Sequence, residues 1–362
     1  MKVRMRVSAP ILETGKCRCL FAHVWFFSLV VLGLYSVLGL SAPAQAQNAV
    51  VLVGSGSSVP APLYNRWAQE FVKHNQSIQV RYVPIGTSEG IKQISHGTGD
   101  FGAGEALLTP SERADGNLIA LPAVLIGIVP IYNLPDVHQE LRLSGDVLAG
   151  IFVGEVKMWD APAIARLNPD VALPNLRIQV VNRPAGKGSN YVFTDFLSKV
   201  SSKFRAQIGV SASPAWPVGV PAERSSDMVD KVKSEVGTIG YVELQYAVKA
   251  NIPRVAVLNS AGKFVRASAD SIAAACQAVE APHWNKFATS LTNASGADSF
   301  PITSFTWVYL RTSSSDPARA GALRDLLDWI YSDGQQFAAQ EGYSELPPPL
   351  LAAVRKKMRD LR

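Results

Sequence analysis

The amino-acid sequence predicts an α/β protein in which strands alternate with helices. A strand, a glycine- and serine-rich loop and a helix follow one another three times, an order typical of sheets covered by helices. Residues 118–132 form a nearly continuous apolar run, the pattern of a buried central strand. The chain has 362 residues, more than one hydrophobic core usually serves, so we expect two domains.

The first 46 residues are predicted to be a secretory signal peptide. Five basic residues precede an apolar run from about 20 to 40, which ends in Ala44-Gln45-Ala46. A basic start, an apolar middle and small residues at the end are the order of a cleaved leader. The apolar run is also long enough to cross a bilayer, so the alternative is an uncleaved membrane anchor. With the leader removed, we expect a periplasmic protein free in solution.

Most of the net positive charge belongs to this leader. The whole chain carries +6, from 35 Lys and Arg against 29 Asp and Glu. Residues 1–46 hold five of the basic residues and one acidic residue, which leaves 30 against 28 and a charge of +2. Nucleic-acid binding requires clustered basic residues, so a nearly neutral mature chain excludes it.

The cysteine and histidine residues predict neither a catalytic site nor a metal-binding site. Only Cys276 remains after the leader, so no intramolecular disulfide can form; its alanine-rich setting predicts a small apolar residue on a helix, and a reactive thiol is the alternative. The remaining histidines show no ligand spacing; they are His74, His96, His138 and His283. We therefore expect no metal site, no cofactor and no His-dependent triad.

The element boundaries follow from periodicity and turn residues. In the first repeated unit, the strand spans 50–53, the loop 54–58, and the helix runs through Leu63 to Phe71. In the second, the strand spans 78–83, the loop 86–88, and the helix begins at Gly90. In the third, the strand spans 176–181, the loop 183–189, and the helix starts near Tyr191 with Ser189 or Asn190 as N-cap. Further on, the pattern predicts strands at 238–242 and 305–310, a hairpin joining 255–257 to 264–265, and closing helices at 318–340 and 349–361.

The three loops share a design that suits an anion. Each leads into a helix, whose first N–H groups lack intrahelical partners and whose positive dipole end attracts negative charge. The loop hydroxyls would add donors; they belong to Ser58, Thr87, Ser88 and Ser189. An ordinary N-cap explains any one loop, but three alike favour a shared site. No loop has the third glycine of a dinucleotide fingerprint or a P-loop ending, so nucleotide chemistry is not indicated.

Several motifs, in this order, resemble those of the periplasmic phosphate-binding proteins of phosphate ABC transporters. The resemblance covers essentially the whole mature chain. The motifs are Gly54-Ser-Gly-Ser-Ser-Val-Pro-Ala-Pro62, Ile85-Gly-Thr-Ser88 with Gly90-Ile-Lys-Gln-Ile94, Gly99-Asp-Phe-Gly-Ala-Gly-Glu105, Ile151-Phe-Val-Gly-Glu-Val-Lys-Met-Trp-Asp160, Gly237-Thr-Ile-Gly-Tyr-Val-Glu243 and Pro301-Ile-Thr-Ser304.

The resemblance implies a two-lobed periplasmic binding protein fold with two hinge strands and a ligand cleft between the lobes. Lobe 1 would comprise residues 47–128 and 301–362, and lobe 2 residues 129–300. The protein would act as a monomer that captures inorganic phosphate and delivers it to the permease and ATPase complex of a phosphate ABC transporter.

The resemblance also implies which residues hold the ligand. Donors from the three loops surround the anion; they are the Ser58 hydroxyl, the Val59 N–H, Thr87, Ser88, Arg183, Gly188 and Ser189. Glu105 would accept the phosphate proton and repel sulfate, which carries no proton at neutral pH.

Four residues depart from the family pattern, all in ligand loops. Glu105 stands where the family usually has Asp, Ala185 where a carboxylate pairs the arginine, Lys187 where a small hydroxyl residue stands and Glu89 where Gly stands. These changes could compensate one another, with Glu89 or Glu105 pairing Arg183 and Lys187 meeting a ligand oxygen. Alternatively, Lys187 extends to solvent and Glu89 is an ordinary acidic residue of a first helical turn.

Three functions therefore compete. The first is capture of phosphate, with a different oxyanion or phospho-compound as its variant. The second is a secreted phosphatase with Ser58 or Thr87 as nucleophile, but no histidine or metal cluster is present to activate either hydroxyl. The third is a sensor or scaffold that kept the fold and lost ligand capture.

Overall fold

The computed structural model describes residues 49–114, 117–279 and 287–359. The predicted leader and His283 lie outside these residues. The strands of the described residues are β1 (Val50–Gly56), β2 (Ile78–Pro84), β3 (Phe101–Gly104), β4 (Leu118–Tyr132), β5 (Arg142–Leu143), β6 (Gln179–Asn182), β7 (Val220–Pro221), β8 (Thr238–Glu243), β9 (Ala256–Leu258), β10 (Phe264–Val265) and β11 (Thr303–Arg311).

Helices lie between and after these strands. They are α1 (Ala61–His74), α2 (Thr87–Ser95), α3 (Pro110–Ala114), α4 (Gly145–Phe152), α5 (Pro162–Ala165), α6 (Gly188–Val200), α7 (Ser202–Gln207), α8 (Ser225–Ser234), α9 (Leu244–Lys249), α10 (Ala269–Gln277), α11 (Pro317–Ile330), a 3-10 turn at Asp333–Gln335, α12 (Gln336–Gln340) and α13 (Pro348–Arg359). Within the described part of the chain, no helix has both the length and the apolar character needed to cross a membrane.

The described strands form one sheet of eight strands and one of three. The large sheet has the order β2-β1-β3-β11-β4-β8-β6-β7, and the small one has the order β10-β9-β5. β1 is parallel to β2 and β3, and β6 is parallel to β8, whereas β11 and β8 run antiparallel to β4. The predicted α/β class is therefore confirmed.

β4 is the element that joins the two halves of the large sheet. All of its residues except Ile119 are buried, as its apolar run predicts. Residues 118–127 of β4 pair with β11, and residues 128–132 pair with β8. The strand thus exchanges one neighbour for another between Gly127 and Ile128.

The large sheet is covered by amphipathic helices. Helix α1 turns Tyr64, Trp67 and Phe71 toward the sheet, and their i, i+3, i+7 spacing explains why this segment forms a helix with one buried face. The Trp67 indole donates a hydrogen bond to the Gly334 carbonyl at 2.8 Å. Because these apolar faces are buried, the loops at the strand ends have a rigid support.

Two sequence-based boundaries were wrong. Helix α6 begins at Gly188 with Lys187 as N-cap, so neither Ser189 nor Asn190 caps it. The Asn190 side chain instead donates a hydrogen bond to the Pro184 carbonyl, so it binds the preceding loop and not the first N–H groups of α6. The strand predicted at 176–181 is shorter, since β6 spans Gln179–Asn182.

The closing helix predicted at 318–340 is interrupted after α11. Ser332 Oγ donates to the carbonyls of Asp328 and Trp329, a local bond that competes with helix continuation. Gly334 then approaches the backbone of Trp329 closely, where a Cβ would lie 3.2 Å from its oxygen. By contrast, Cys276 is buried on α10, as predicted for a small apolar residue.

Candidate functional site

The predicted ligand loops lie at strand ends that face one another. β1 and β3 run in the same direction as β4, whereas β6 and β8 run in the opposite direction. The carboxyl ends of both sets therefore point toward the place where β4 exchanges neighbours. In open α/β sheets, ligands bind outside the carboxyl ends of strands.

The tightest contact between these loops joins Glu105, Thr87 and Gly188. Thr87 Oγ1 donates to Glu105 Oε2 at 3.0 Å. A Cβ on Gly188 would lie 1.6 Å from Glu105 Oε2 and 2.5 Å from Thr87 Oγ1, so only glycine allows α6 to come this close. The Ser88 N–H also donates to the Gly186 carbonyl at 3.3 Å. The first turn of α6 thus lies directly against the Glu105 carboxyl.

The helices that begin at these loops are not capped by their own side chains. Pro60, Gly86 and Lys187 precede α1, α2 and α6, and none of the three contributes a side-chain hydrogen bond to the first turn. The first N–H groups of an α-helix have no intrahelical acceptor. An ordinary side-chain N-cap therefore does not explain these loops.

Several buried polar atoms at this place have no hydrogen-bond partner within the described chain. They are Glu105 Oε1, Arg183 Nε, Arg183 Nη2 and Ser189 Oγ. The three residues are 1–2% exposed. Arg183 Nη1 donates to the Ala222 carbonyl at 3.1 Å, which leaves Nε and Nη2 on one edge of the guanidinium as a two-donor fork. A tetrahedral oxyanion would supply acceptors for the fork and the hydroxyl.

Burial raises the pKa of Glu105 to about 8. The nearby Ser57 hydroxyl and the hydrogen bond from Thr87 lower the pKa, and the charge of Glu243 raises it. Near neutral pH the carboxyl therefore holds or shares a proton, because a buried carboxylate lacks the hydration that would stabilise its charge. Ser57, 2% exposed, was not among the predicted site residues, although the neighbouring Ser58 was.

A buried network holds the loop that carries Arg183. Asn190 Nδ2 donates to the carbonyls of Pro184 and Ala212, at 2.7 and 3.1 Å. The Tyr241 hydroxyl donates to Asn190 Oδ1, and the Arg183 N–H donates to the Tyr241 oxygen at 3.3 Å. These contacts fix the direction in which the guanidinium leaves the backbone.

Three tyrosines hold the loops after β1 and β3. The hydroxyl of Tyr82 donates to the Ser57 carbonyl at 2.6 Å, that of Tyr343 to the Val59 carbonyl at 2.7 Å, and that of Tyr309 to the Ala106 carbonyl at 2.7 Å. Sequence reasoning did not find these residues, because the partners are as far as 284 positions apart.

Other predicted ligand residues have different surroundings. Ser58 is half-buried and Ser88 is exposed, and the Val59 N–H donates to Ser57 Oγ at 3.1 Å. Lys187 Nζ lies 3.4 Å from Glu223 Oε2, and the exposed Glu89 lies 3.9 Å from Lys92 Nζ. Among the ion pairs of the described residues, none joins Arg183 to a carboxylate.

The mixed α/β fold, with the predicted ligand loops at facing strand ends, is that of the periplasmic binding proteins. Solved structures with this fold include a putative phosphate ABC transporter substrate-binding protein with bound phosphate from Clostridium perfringens (TM-score 0.60, 17% identity, 82% of this chain and 100% of that one). Another is the periplasmic phosphate-binding protein PfluDING bound with phosphate (TM-score 0.68, 19% identity, 85% of this chain and 93% of that one).

The chain belongs to the PstS family of phosphate-binding proteins. Residues 42–334 match the model of the PBP superfamily domain. The phosphate-binding protein PstS of Xylella fastidiosa (strain 9a5c) is 34% identical over 312 residues, which cover 86% of this chain and 85% of the relative. The PstS of Pasteurella multocida (strain Pm70) is 34% identical over 322 residues, which cover 89% and 92%. The resemblance noted in the sequence is confirmed.

The raised pKa of Glu105 predicts how the ligand-free protein responds to pH. The pKa of Glu105 is about 8 in the folded protein, and its ordinary value is 4.5. The contribution of the neutral carboxyl to the stability of the wild type is therefore complete below pH 4.5 and is lost as the pH rises through 8. Glutamine cannot ionise and loses nothing. We expect Glu105→Gln to become more stable relative to the wild type between pH 5 and pH 9. Thermal unfolding without phosphate measures this difference, with the exposed Glu235→Gln as control. A Glu105→Gln difference that is the same at both pH values would contradict the prediction.

Proposed function

We propose that this protein captures inorganic phosphate in the periplasm and delivers it to the permease and ATPase complex of a phosphate ABC transporter. The observation that carries the proposal is a group of buried atoms of Arg183, Ser189 and Glu105 that have no partner among the residues of known position and lie beside the uncapped start of α6. The names of the relatives support phosphate as the ligand.

The donor set suits a doubly charged anion in a dry site. A buried anion keeps its charge only when hydrogen-bond donors replace water, and charged donors are the strongest. The Arg183 fork would bind two phosphate oxygens. The Ser189 hydroxyl and the first N–H groups of α6 would bind the others. No covalent step is required, and the proposed role is binding without catalysis.

Glu105 would make the site selective for phosphate over sulfate. A phosphate that carries a proton can donate it to Glu105, so a single proton is shared between the two groups. Sulfate has no proton at neutral pH and meets the carboxylate as a like charge, unless Glu105 is itself protonated. Ionisation of Glu105 would therefore strengthen the discrimination.

The departures from the family pattern do not displace phosphate as the favoured ligand. Lys187 has a carboxylate partner in Glu223, and Glu89 is exposed near Lys92. Both contacts support the interpretation in which these residues lie at the rim and not against the anion.

The pairing of β4 supports the two predicted lobes, residues 47–128 with 301–362 and residues 129–300. β4 exchanges β11 for β8 between Gly127 and Ile128, close to the predicted hinge at Val129-Pro130 and Pro301. Closure and opening about this hinge would let the site exclude water and then release the anion.

Phosphate should compact the protein if the hinge operates. We expect the radius of gyration from small-angle scattering to fall when saturating phosphate is added to the ligand-free protein. Calorimetry on the same sample confirms occupancy. An unchanged radius with the site occupied would contradict the hinge.

Arg183→Ala should weaken phosphate binding far more than Lys187→Ala. Removing the buried fork leaves desolvated negative charge unmatched, at a cost of about 2–5 kcal/mol, whereas a lysine at the rim contributes little. Titration calorimetry with phosphate measures both variants, and their melting temperatures verify that they fold. Equal losses would show that Lys187 contacts the ligand.

The preference for phosphate over sulfate should increase with pH. Sulfate requires a protonated Glu105, so the affinity ratio is expected to rise by up to about tenfold per pH unit above the pKa of that carboxyl. In Glu105→Gln, which cannot ionise, the ratio should be smaller and should change less with pH. Competition titrations between pH 6.5 and pH 9 measure it. A ratio with the same pH dependence in both proteins would contradict this role of Glu105.

A further inference from the structure

A second buried carboxylate, Glu243, lies at the same strand ends as the proposed phosphate site. It is the last residue of β8 and pairs with Ile128, the residue at which β4 exchanges neighbours. β6, which carries Arg183 directly after its last residue, is parallel to β8 on its other side. The carboxyl ends of these two strands therefore lie side by side, facing the loop that carries Glu105.

The Glu243 side chain is not accounted for by contacts of the described chain. It is 1% exposed, and its Oε2 has no hydrogen-bond partner among the described residues. It precedes α9 as N-cap but makes no capping hydrogen bond. A buried carboxylate oxygen without a partner is costly, which indicates that a group outside the described contacts meets it.

Strand register and electrostatics connect Glu243 with both Arg183 and Glu105. Its charge acts on Glu105, and it acts together with Arg183 on the hydroxyls of Tyr241 and Tyr246. The ionisable groups on which its charge acts are Glu105 after β3, Tyr241 on β8, Tyr246 on α9 and Tyr343 from the segment before α13, and Arg183 after β6 acts on two of them. Arg183 is the only cation among these groups, and it makes no ion pair with Glu243 in the described chain.

We propose that Glu243 is a second specificity-determining carboxylate, which together with Glu105 makes the site bind phosphate in a form that shares two protons with the protein. The inference rests on the proposed function and concerns the same site. A doubly charged phosphate beside two ionised carboxylates and one guanidinium would bury three uncompensated negative charges. Uptake of a proton removes one of them. The two shared protons belong to phosphate, Glu105 and Glu243 together and not to any one of them.

Proton uptake on binding tests this inference directly. At pH 9, free phosphate carries one proton and the Glu105 carboxyl, with a pKa of about 8, is largely ionised, so a complex that shares two protons should take up about one proton per phosphate bound. Titration calorimetry with inorganic phosphate, in two buffers of different ionisation enthalpy, gives this number. Glu243→Gln should take up close to none, and Glu243→Asp, which keeps the carboxylate, should restore uptake. Glu235→Gln, an exposed change three residues before β8, should behave as the wild type.

The outcomes separate the inference from the function on which it rests. Absence of phosphate binding to the wild type at any pH would overturn the proposed function. Binding without proton uptake at pH 9, or the same uptake in Glu243→Gln and wild type, would overturn the role of Glu243 and leave phosphate capture standing. The wild-type measurement depends on no variant, so a Glu243→Gln protein that fails to fold does not weaken the test.

Discussion

The arrangement of the site depends on one constraint: charged and polar groups are buried together, and the described residues do not supply enough hydrogen-bond partners for them. Within the part of the chain that the structure describes, the Arg183 guanidinium has two unused donors and the Glu105 carboxyl one unused oxygen, in residues that are at most 2% exposed. Such groups are costly in a dry interior unless a ligand completes their hydrogen bonds. An oxyanion with a proton completes all of them at once, since it accepts from the guanidinium and donates to the carboxyl.

The surrounding structure keeps these groups in place. Asn190 and Tyr241 hold the backbone on both sides of Arg183, and three tyrosine hydroxyls bind the carbonyls of the loops after β1 and β3. Gly188 lets the start of α6 reach the Glu105 carboxyl, where any side chain would collide. The sheet beneath brings the two sets of strand ends together because β4 pairs first with β11 and then with β8. Rigid strands thus carry the loops, and the loops carry the charges.

Much of this was predictable from local sequence patterns. The apolar run of β4, the amphipathic face of α1 and the buried Cys276 follow from periodicity alone, and the loop glycines and serines indicate an anion. Glu105 ends one of the family motifs, whereas Arg183 lies in the third glycine-rich loop and was named as a ligand residue through the resemblance. The sequence could not show that Lys187 pairs with Glu223, or that Ser57 rather than Ser58 is the buried hydroxyl, because a shift of one residue in a loop changes no local pattern. Tyr343 was missed because its acceptor, the Val59 carbonyl, is 284 positions away, and Glu243 was missed because Glu105 and Arg183 follow other strands.

A crystal structure of the phosphate complex tests the central claim most directly. The account predicts one phosphate in which two oxygens bind Arg183 Nε and Nη2, a third binds Ser189 Oγ, and a fourth lies within hydrogen-bond distance of the Glu105 carboxyl. A phosphate bound elsewhere, or bound here while the two Arg183 donors remain without a partner, would contradict it.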